Sequence, residues 1–139
     1  MSWIIYALLS AVFAALVAVF GKIGLNNVDS TLATTVRAVV MAVFLVAAAL
    51  IFGKAPLLST IHNRALLYII LSGVAGALSW LFYFYALKTG PASGVAALDR
   101  TSVVFVLLLA VLMLGERITL KSGIGVSLVA CGAILMAMK

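Results

Sequence analysis

The sequence predicts an all-α integral membrane protein, a bundle of five transmembrane helices, and three observations predict it. First, 67% of the 139 residues are hydrophobic and only 9% are charged, against roughly 25% charged and about 45–50% apolar in a water-soluble domain. With a mean hydropathy of +1.38, the chain has too little polar surface to cover itself in water. Second, the apolar residues gather into five runs of about 20, the length a helix needs to cross a bilayer core. Third, runs such as 103–114 are apolar on every side, whereas membrane strands alternate apolar and polar residues over roughly 10 positions.

The first span is expected at residues 3–21. It turns apolar at once, with no basic leader, and outlasts the roughly 7–15 residues of a signal-peptide core, so it reads as a retained helix. Lys22 to Asp29 form a polar turn, and Asp29 or Ser30 is placed to cap the second span, 31–52, by accepting from a free backbone N–H. Gly53-Lys54-Ala55-Pro56 stops that helix, and the longest loop follows, carrying His62 and Arg64. The third span, 65–87, is closed by Lys88-Thr89-Gly90-Pro91, where Pro91 suits the first turn of the next helix. The fourth runs 92–114 with Gly115 as its C-terminal cap, and Thr119 caps the fifth, 119–138. No connection is long enough for a second domain, so a single membrane domain, 1–139, is expected.

The formal charge of +6 comes from nine Lys and Arg residues that punctuate the apolar runs instead of forming a basic stripe. That excludes nucleic acid as a partner and suits membrane interfaces. Lys22, Lys54, Arg64, Lys121 and Lys139 read as interface anchors, and Glu116 and Arg117 as an exposed pair of little energetic value. Cys131 and His62 are each the only one of their kind, which leaves no disulfide framework and no His/Cys metal set. There is also no nucleophile–base pair, so neither an enzyme nor a cofactor is expected.

Helix faces carry the functional signal. Ser72, Gly73, Gly76, Ser79, Trp80 and Tyr83 share one side of the third span at 100° per residue. An interfacial aromatic belt explains Tyr83. It explains Ser79 and Trp80 less well, since they lie about 10–12 Å inside the span at 1.5 Å per residue. This side is therefore expected to line a cavity. Gly123, Ser127 and Cys131 form a small-residue ladder on the fifth span, as Ser10, Ala14 and Ala18 do on the first. Small residues let helices approach closely in lipid, within one chain or at a dimer interface.

Ionisable groups inside spans are stronger signals, because an unpaired charge there costs several kcal/mol and commonly marks a pathway or a pair. Arg37 stands about seven residues into the second span, Asp99 and Arg100 seven or eight into the fourth. If the spans alternate in direction, all three lie at the depth of Ser79 and Trp80. Asp99 and Arg100 differ by 100° around a regular helix, so they pair poorly with each other. An Arg37–Asp99 bridge is open, with Arg100 toward a cavity or snorkelling to the headgroups. Asp99, the only acidic group within a span, is the candidate coupling residue. Arg37, Arg100, Ser79, Trp80 and Tyr83 are the candidate substrate contacts.

The turn Leu114-Gly115-Glu116-Arg117-Ile118-Thr119 leads into Gly123-Ile124-Gly125 and Cys131-Gly132-Ala133. It resembles the second half of an EamA domain of the drug/metabolite transporter superfamily. So do Ala86-Leu87-Lys88-Thr89-Gly90-Pro91-Ala92-Ser93 and Ala97-Leu98-Asp99-Arg100-Thr101-Ser102 upstream, and the resemblance covers the whole chain. It implies a secondary transporter or exporter of a small metabolite or drug-like solute. Most such proteins carry two domains, and this sequence carries one. It is similar in scale to the small multidrug resistance proteins but lacks the membrane glutamate of their first helix.

Fusing two five-helix units inverts the second, the inverted repeat of alternating-access transporters. An antiparallel homodimer of single units reaches the same architecture. The expectation is a half-transporter in a bacterial or archaeal inner membrane, with itself, the bilayer and a small solute as partners. The other readings are an assembly or regulatory subunit of another membrane protein and a lipid-headgroup flippase. Two arginines favour an anionic or zwitterionic solute, while the Tyr/Trp face would serve a cation equally.

Overall fold

In hydrocarbon every backbone amide must bond within its own segment, so apolar runs of this length resolve into helices. The computed structural model describes residues 2–138. It has α1 at Ser2–Gly24, α2 at Ser30–Ile51, a 3₁₀ helix at Ala55–Thr60, α3 at Asn63–Thr89, α4 at Ala92–Asp99, α5 at Ser102–Leu114 and α6 at Leu120–Ala137. No strand occurs among the described residues. Five stretches are long and apolar enough to cross a membrane, α4 and α5 together making the fourth. The protein is thus an all-α membrane protein, as its composition requires.

Local chemistry sets the helix ends. The Asp29 carboxylate accepts from the backbone N–H of Thr31 at 2.9 Å and of Leu32 at 3.0 Å, capping α2. The Leu32 amide is the chief cause holding its carboxyl below the ordinary value of 3.8; the Thr31 amide and the Lys88 charge act the same way, against a desolvation effect. Gly53 (φ 62°) ends α2 and Gly115 (φ 68°) ends α5 in the left-handed conformation that glycine adopts without strain. Thr119 and Ser122 form a reciprocal capping box at the start of α6, with side-chain to backbone bonds of 3.0 and 3.1 Å.

Two expectations need correction. The connection after α2 is not an open loop: Ala55–Thr60 winds into a 3₁₀ turn in which the Ser59 and Thr60 hydroxyls donate to the carbonyls of Pro56 and Leu57. Arg64 therefore belongs to α3. The fourth span is not one continuous helix either, because regular α-helix stops at Asp99 and resumes at Ser102. The polar run Asp99-Arg100-Thr101-Ser102 contains three residue types whose side chains compete for backbone groups. Thr101 shows that competition directly, donating its hydroxyl to the Leu98 carbonyl at 2.6 Å.

The chain divides into two compact units, one made of α1 as far as Ile23 with everything from Thr89 onward, the other running from Gly24 to Lys88. In the first, α4 and α5 pack on α6, and Gly94 marks the close approach. A Cβ there would stand 3.3 Å from the Pro91 side chain and 3.4 Å from the Met136 carbonyl. Lys22, expected as a plain interface anchor, donates to the Gly90 carbonyl at 2.8 Å and ties the end of α1 to the start of α4. In the second unit α2 and α3 form an antiparallel pair. Large apolar side chains such as Phe44 and Phe82 point outward, the surface lipid would solvate.

Candidate functional site

The α2–α3 pair brings the candidate residues together step by step. At its mouth the Lys88 ammonium donates to the Val28 carbonyl at 3.1 Å. About one turn in, the Thr31 and Tyr85 hydroxyls meet at 2.7 Å. Deeper again, the Arg37 guanidinium lies over the Trp80 ring, 3.6 Å from its centroid and 5.7 Å from that of Phe84. Each step along α2 is matched by a step back along α3, so the register is that of two antiparallel helices. Counted from Ser30 and Thr89, the ends of their helices, Arg37 and Trp80 lie roughly 10–14 Å inside at 1.5 Å per residue.

The rings hold one another as well as the cation. Trp80 meets Tyr83 edge to face, with centroids 5.3 Å apart and planes at 74°, and meets Phe84 at 6.1 Å and 63°. Positions i, i+3 and i+4 of one helix supply all three rings. Edge-to-face pairs are favoured by the aromatic quadrupole, and a guanidinium stacked on a ring face gains about 0.5–2 kcal/mol depending on its desolvation. Arg37 and Trp80 are half-buried and Phe84 is buried. Within its own unit Arg37 is thus partnered by aromatic faces, a solution to burying a cation that the sequence left unweighed.

Phe84 was not among the residues singled out from sequence, although its i+4 spacing from Trp80 was the available signal. Tyr85, Lys88 and Val28 were missed as the contacts that fix the register. Ser79 sits on α3 one turn before Tyr83, exposed and outside the group contacting Arg37. The two glycines below Trp80 are open: a Cβ on Gly73 or Gly76 would meet nothing within 4 Å. Tight packing therefore does not account for them, and the face they belong to offers room instead.

Asp99 and Arg100 belong to the other unit, exposed at the end of α4. Here the backbone tightens. The amides of Arg100 and Thr101 bond to the carbonyls of Ala97 and Leu98 at 3.1 and 3.0 Å, and those of Val103 and Val104 to Arg100 and Thr101 at 3.2 and 2.9 Å. All four reach back three residues, and the dihedrals of Arg100 (−68°, −14°) and Thr101 (−65°, −12°) are near 3₁₀ values. Gly123, Ser127 and Cys131 line a shallow groove of about 570 Å³ along α6 with Ile124 and Leu128. Ser127 donates to the Gly123 carbonyl at 2.9 Å, so the ladder's one hydroxyl is satisfied within its own helix.

The profile of the EamA-like transporter family matches residues 1–138. The chain belongs to that family. A curated relative, an uncharacterized transporter in the cobO 3' region of Sinorhizobium sp, is 46% identical over 136 residues, covering 98% of this chain and 96% of the relative. Uncharacterized transporters of Helicobacter pylori strains 26695 and J99 are 36% and 34% identical over 87 residues, 60% of this chain but 29% of theirs. No solved structure matches. Membership in the EamA family makes transport across a membrane this protein's general role.

Proposed function

We propose that this EamA-family protein is a half-transporter: two antiparallel copies in a bacterial cytoplasmic membrane move a small solute by alternating access, with Asp99 coupling the movement to protons. The observation that carries the reading is the interrupted fourth span. The four amides around the break bond three residues back, so the span stays hydrogen-bonded while losing α-helical regularity, and irregular backbone at membrane depth occurs where it borders a cavity or pathway. A short 3₁₀ stretch is also a soft point at which a span bends. Here it coincides with the only acidic residue inside a span.

An odd number of spans supports the pairing, since two such units fused end to end are oppositely oriented. The Helicobacter relatives fit that arithmetic. Eighty-seven residues are 29% of their length, so they run to about 300 residues, roughly two copies of this chain, as an inverted repeat requires.

Liposomes containing the purified protein and an internal pH dye test the reading. A solute gradient should drive proton flux in the wild type, and Asp99→Asn, which keeps the shape and removes the titratable group, should lose that coupling while eluting as a folded protein. If no member of a broad metabolite panel is moved, the transporter reading falls and the assembly-subunit reading replaces it. If Asp99→Asn transports with an unchanged pH profile, Asp99 is structural.

A further inference from the structure

A cation bound by aromatic residues sits on a ring face. In this protein the Trp80 face already carries the Arg37 guanidinium, at 3.6 Å from the centroid, and a second cation there would meet like charge. The cluster that from sequence suited either sign of solute is therefore closed to positive charge on the Trp80 face that Arg37 occupies.

The same stacking leaves the edge of the guanidinium available. Arginine carries five N–H donors in the plane of the group, arranged as a fork that matches a carboxylate or a phosphate in pairs. Stacking uses the plane and none of those donors. Within its unit the only acidic residue is Asp29, and that carboxylate is committed to the first amides of α2. Among the contacts Arg37 makes in that unit are the faces of two rings. The ring faces offset the charge but leave the guanidinium N–H groups to acceptors, which at this depth an oxyanion, a backbone carbonyl or water supplies. Gly76 and Gly73, one and two turns from Trp80 on its own side of α3, leave space for an attached apolar body, since nothing lies within 4 Å of where their Cβ atoms would be.

We propose that Arg37, held over Trp80, is an oxyanion-recognition subsite, and that the solute is a small organic carboxylate or phosphate whose apolar body lies along the Gly73–Gly76–Trp80 side of α3. The proposal rests on the transport reading only in calling the ligand a solute; binding is tested apart from transport. Trp3 and Trp80 are the two tryptophans, so Trp3→Phe leaves Trp80 as sole reporter at the subsite.

In phosphatidylcholine nanodiscs at neutral pH, Trp80 emission is titrated with benzoate, phenyl phosphate, benzyl alcohol and benzylammonium, which share a ring and differ in charge. At least one oxyanion should give a saturable change with affinity at least tenfold above benzyl alcohol, about 1.4 kcal/mol, and benzylammonium should bind no better than the alcohol. Arg37→Gln should abolish the preference, and Arg37→Lys, which keeps the charge but loses the fork, should weaken it. Circular dichroism and gel filtration establish that each variant is folded; if Arg37→Gln is not, the charge preference of the parent and the Arg37→Lys variant decide.

Equal or stronger binding of benzylammonium, no saturable response to either oxyanion, or an unchanged preference in a folded Arg37→Gln or Arg37→Lys protein overturns the subsite. Loss of the benzoate or phenyl phosphate response in discs containing phosphatidylglycerol shows the oxyanion to be a lipid headgroup and overturns the solute. A clear oxyanion preference without liposome flux removes the transport reading and leaves the subsite; flux without oxyanion preference does the reverse.

Discussion

A polar group near or within a hydrocarbon layer is costly unless the atoms beside it compensate it, and three residues of the second unit stand differently in this respect. Arg37 finds ring faces. Asp29 finds the two amides at the start of α2, and its lowered pKa fixes the sign of a pH effect. Folding favours the carboxylate, so the stabilisation is complete above the ordinary value of 3.8 and is lost as pH falls through the lower, folded value. Amide exchange at Thr31 and Leu32, corrected for the intrinsic rate, should be constant above about pH 4 and accelerate below it. Asp29→Asn should keep the cap without the pH dependence, since Asn caps as well as Asp, and Asp29→Ala should exchange fast throughout. Ser30 is the third case: its hydroxyl is buried with no partner among the described residues. Ser30→Ala removes a polar atom that costs about 1–3 kcal/mol when unsatisfied, so the melting temperature should hold or rise; a clear fall would show the hydroxyl to be bonded.

At the scale of elements, glycines of similar appearance in the sequence do different things. Gly94 stands where α4 meets α6, and Gly94→Leu should destabilise by about 1–3 kcal/mol through overpacking. Gly73 faces open space, so Gly73→Ala should be neutral or stabilising by about 0.5–1 kcal/mol, the ordinary helix-propensity gain. Thermal unfolding in detergent distinguishes the two; equal losses would mean that both glycines pack. The break between α4 and α5 makes its own prediction. Thr101→Ala removes the hydroxyl bonded to the Leu98 carbonyl and substitutes a better helix former. Hydrogen exchange at residues 101–104 should slow as the span regularises, and solute turnover should slow with it. Unchanged exchange would place the cause of the break elsewhere in the Asp99–Ser102 run.

For the whole molecule the prediction concerns orientation. Five spans put the two termini on opposite sides. One side is then expected to carry Lys54, Arg64, Arg117 and Lys121, the other Lys22, Lys88 and Lys139, with Arg37 and Arg100 a fourth and a fifth if they are counted. The Lys/Arg difference between the sides is what orients membrane helices, and here it is nearly zero. Reporters fused to the C-terminus should therefore signal from both sides of the membrane. One strict orientation would exclude an antiparallel pair formed by this chain alone and would require a parallel dimer or an oppositely oriented partner.

The sequence by itself determined the solvent, the five spans and most of their ends. Asp29, Gly115 and Thr119 were readable as caps because a cap depends on groups within four residues of it, and the spans because length and composition suffice in lipid. It also picked out Arg37, Ser79 and Trp80 as residues too polar or too deep to be idle. Which of them meet was another matter. A guanidinium can stack on any of several rings, and the register of α2 against α3, set by contacts at Val28–Lys88 and Thr31–Tyr85, is what brings Trp80 to Arg37. The break after Asp99 contains neither proline nor glycine, so no strong local signal announces it. The role of Gly94 depends on a carbonyl from α6, more than forty residues away. Near-neighbour chemistry is written in the order of residues, whereas partners brought together by folding are chosen by geometry that no single segment contains.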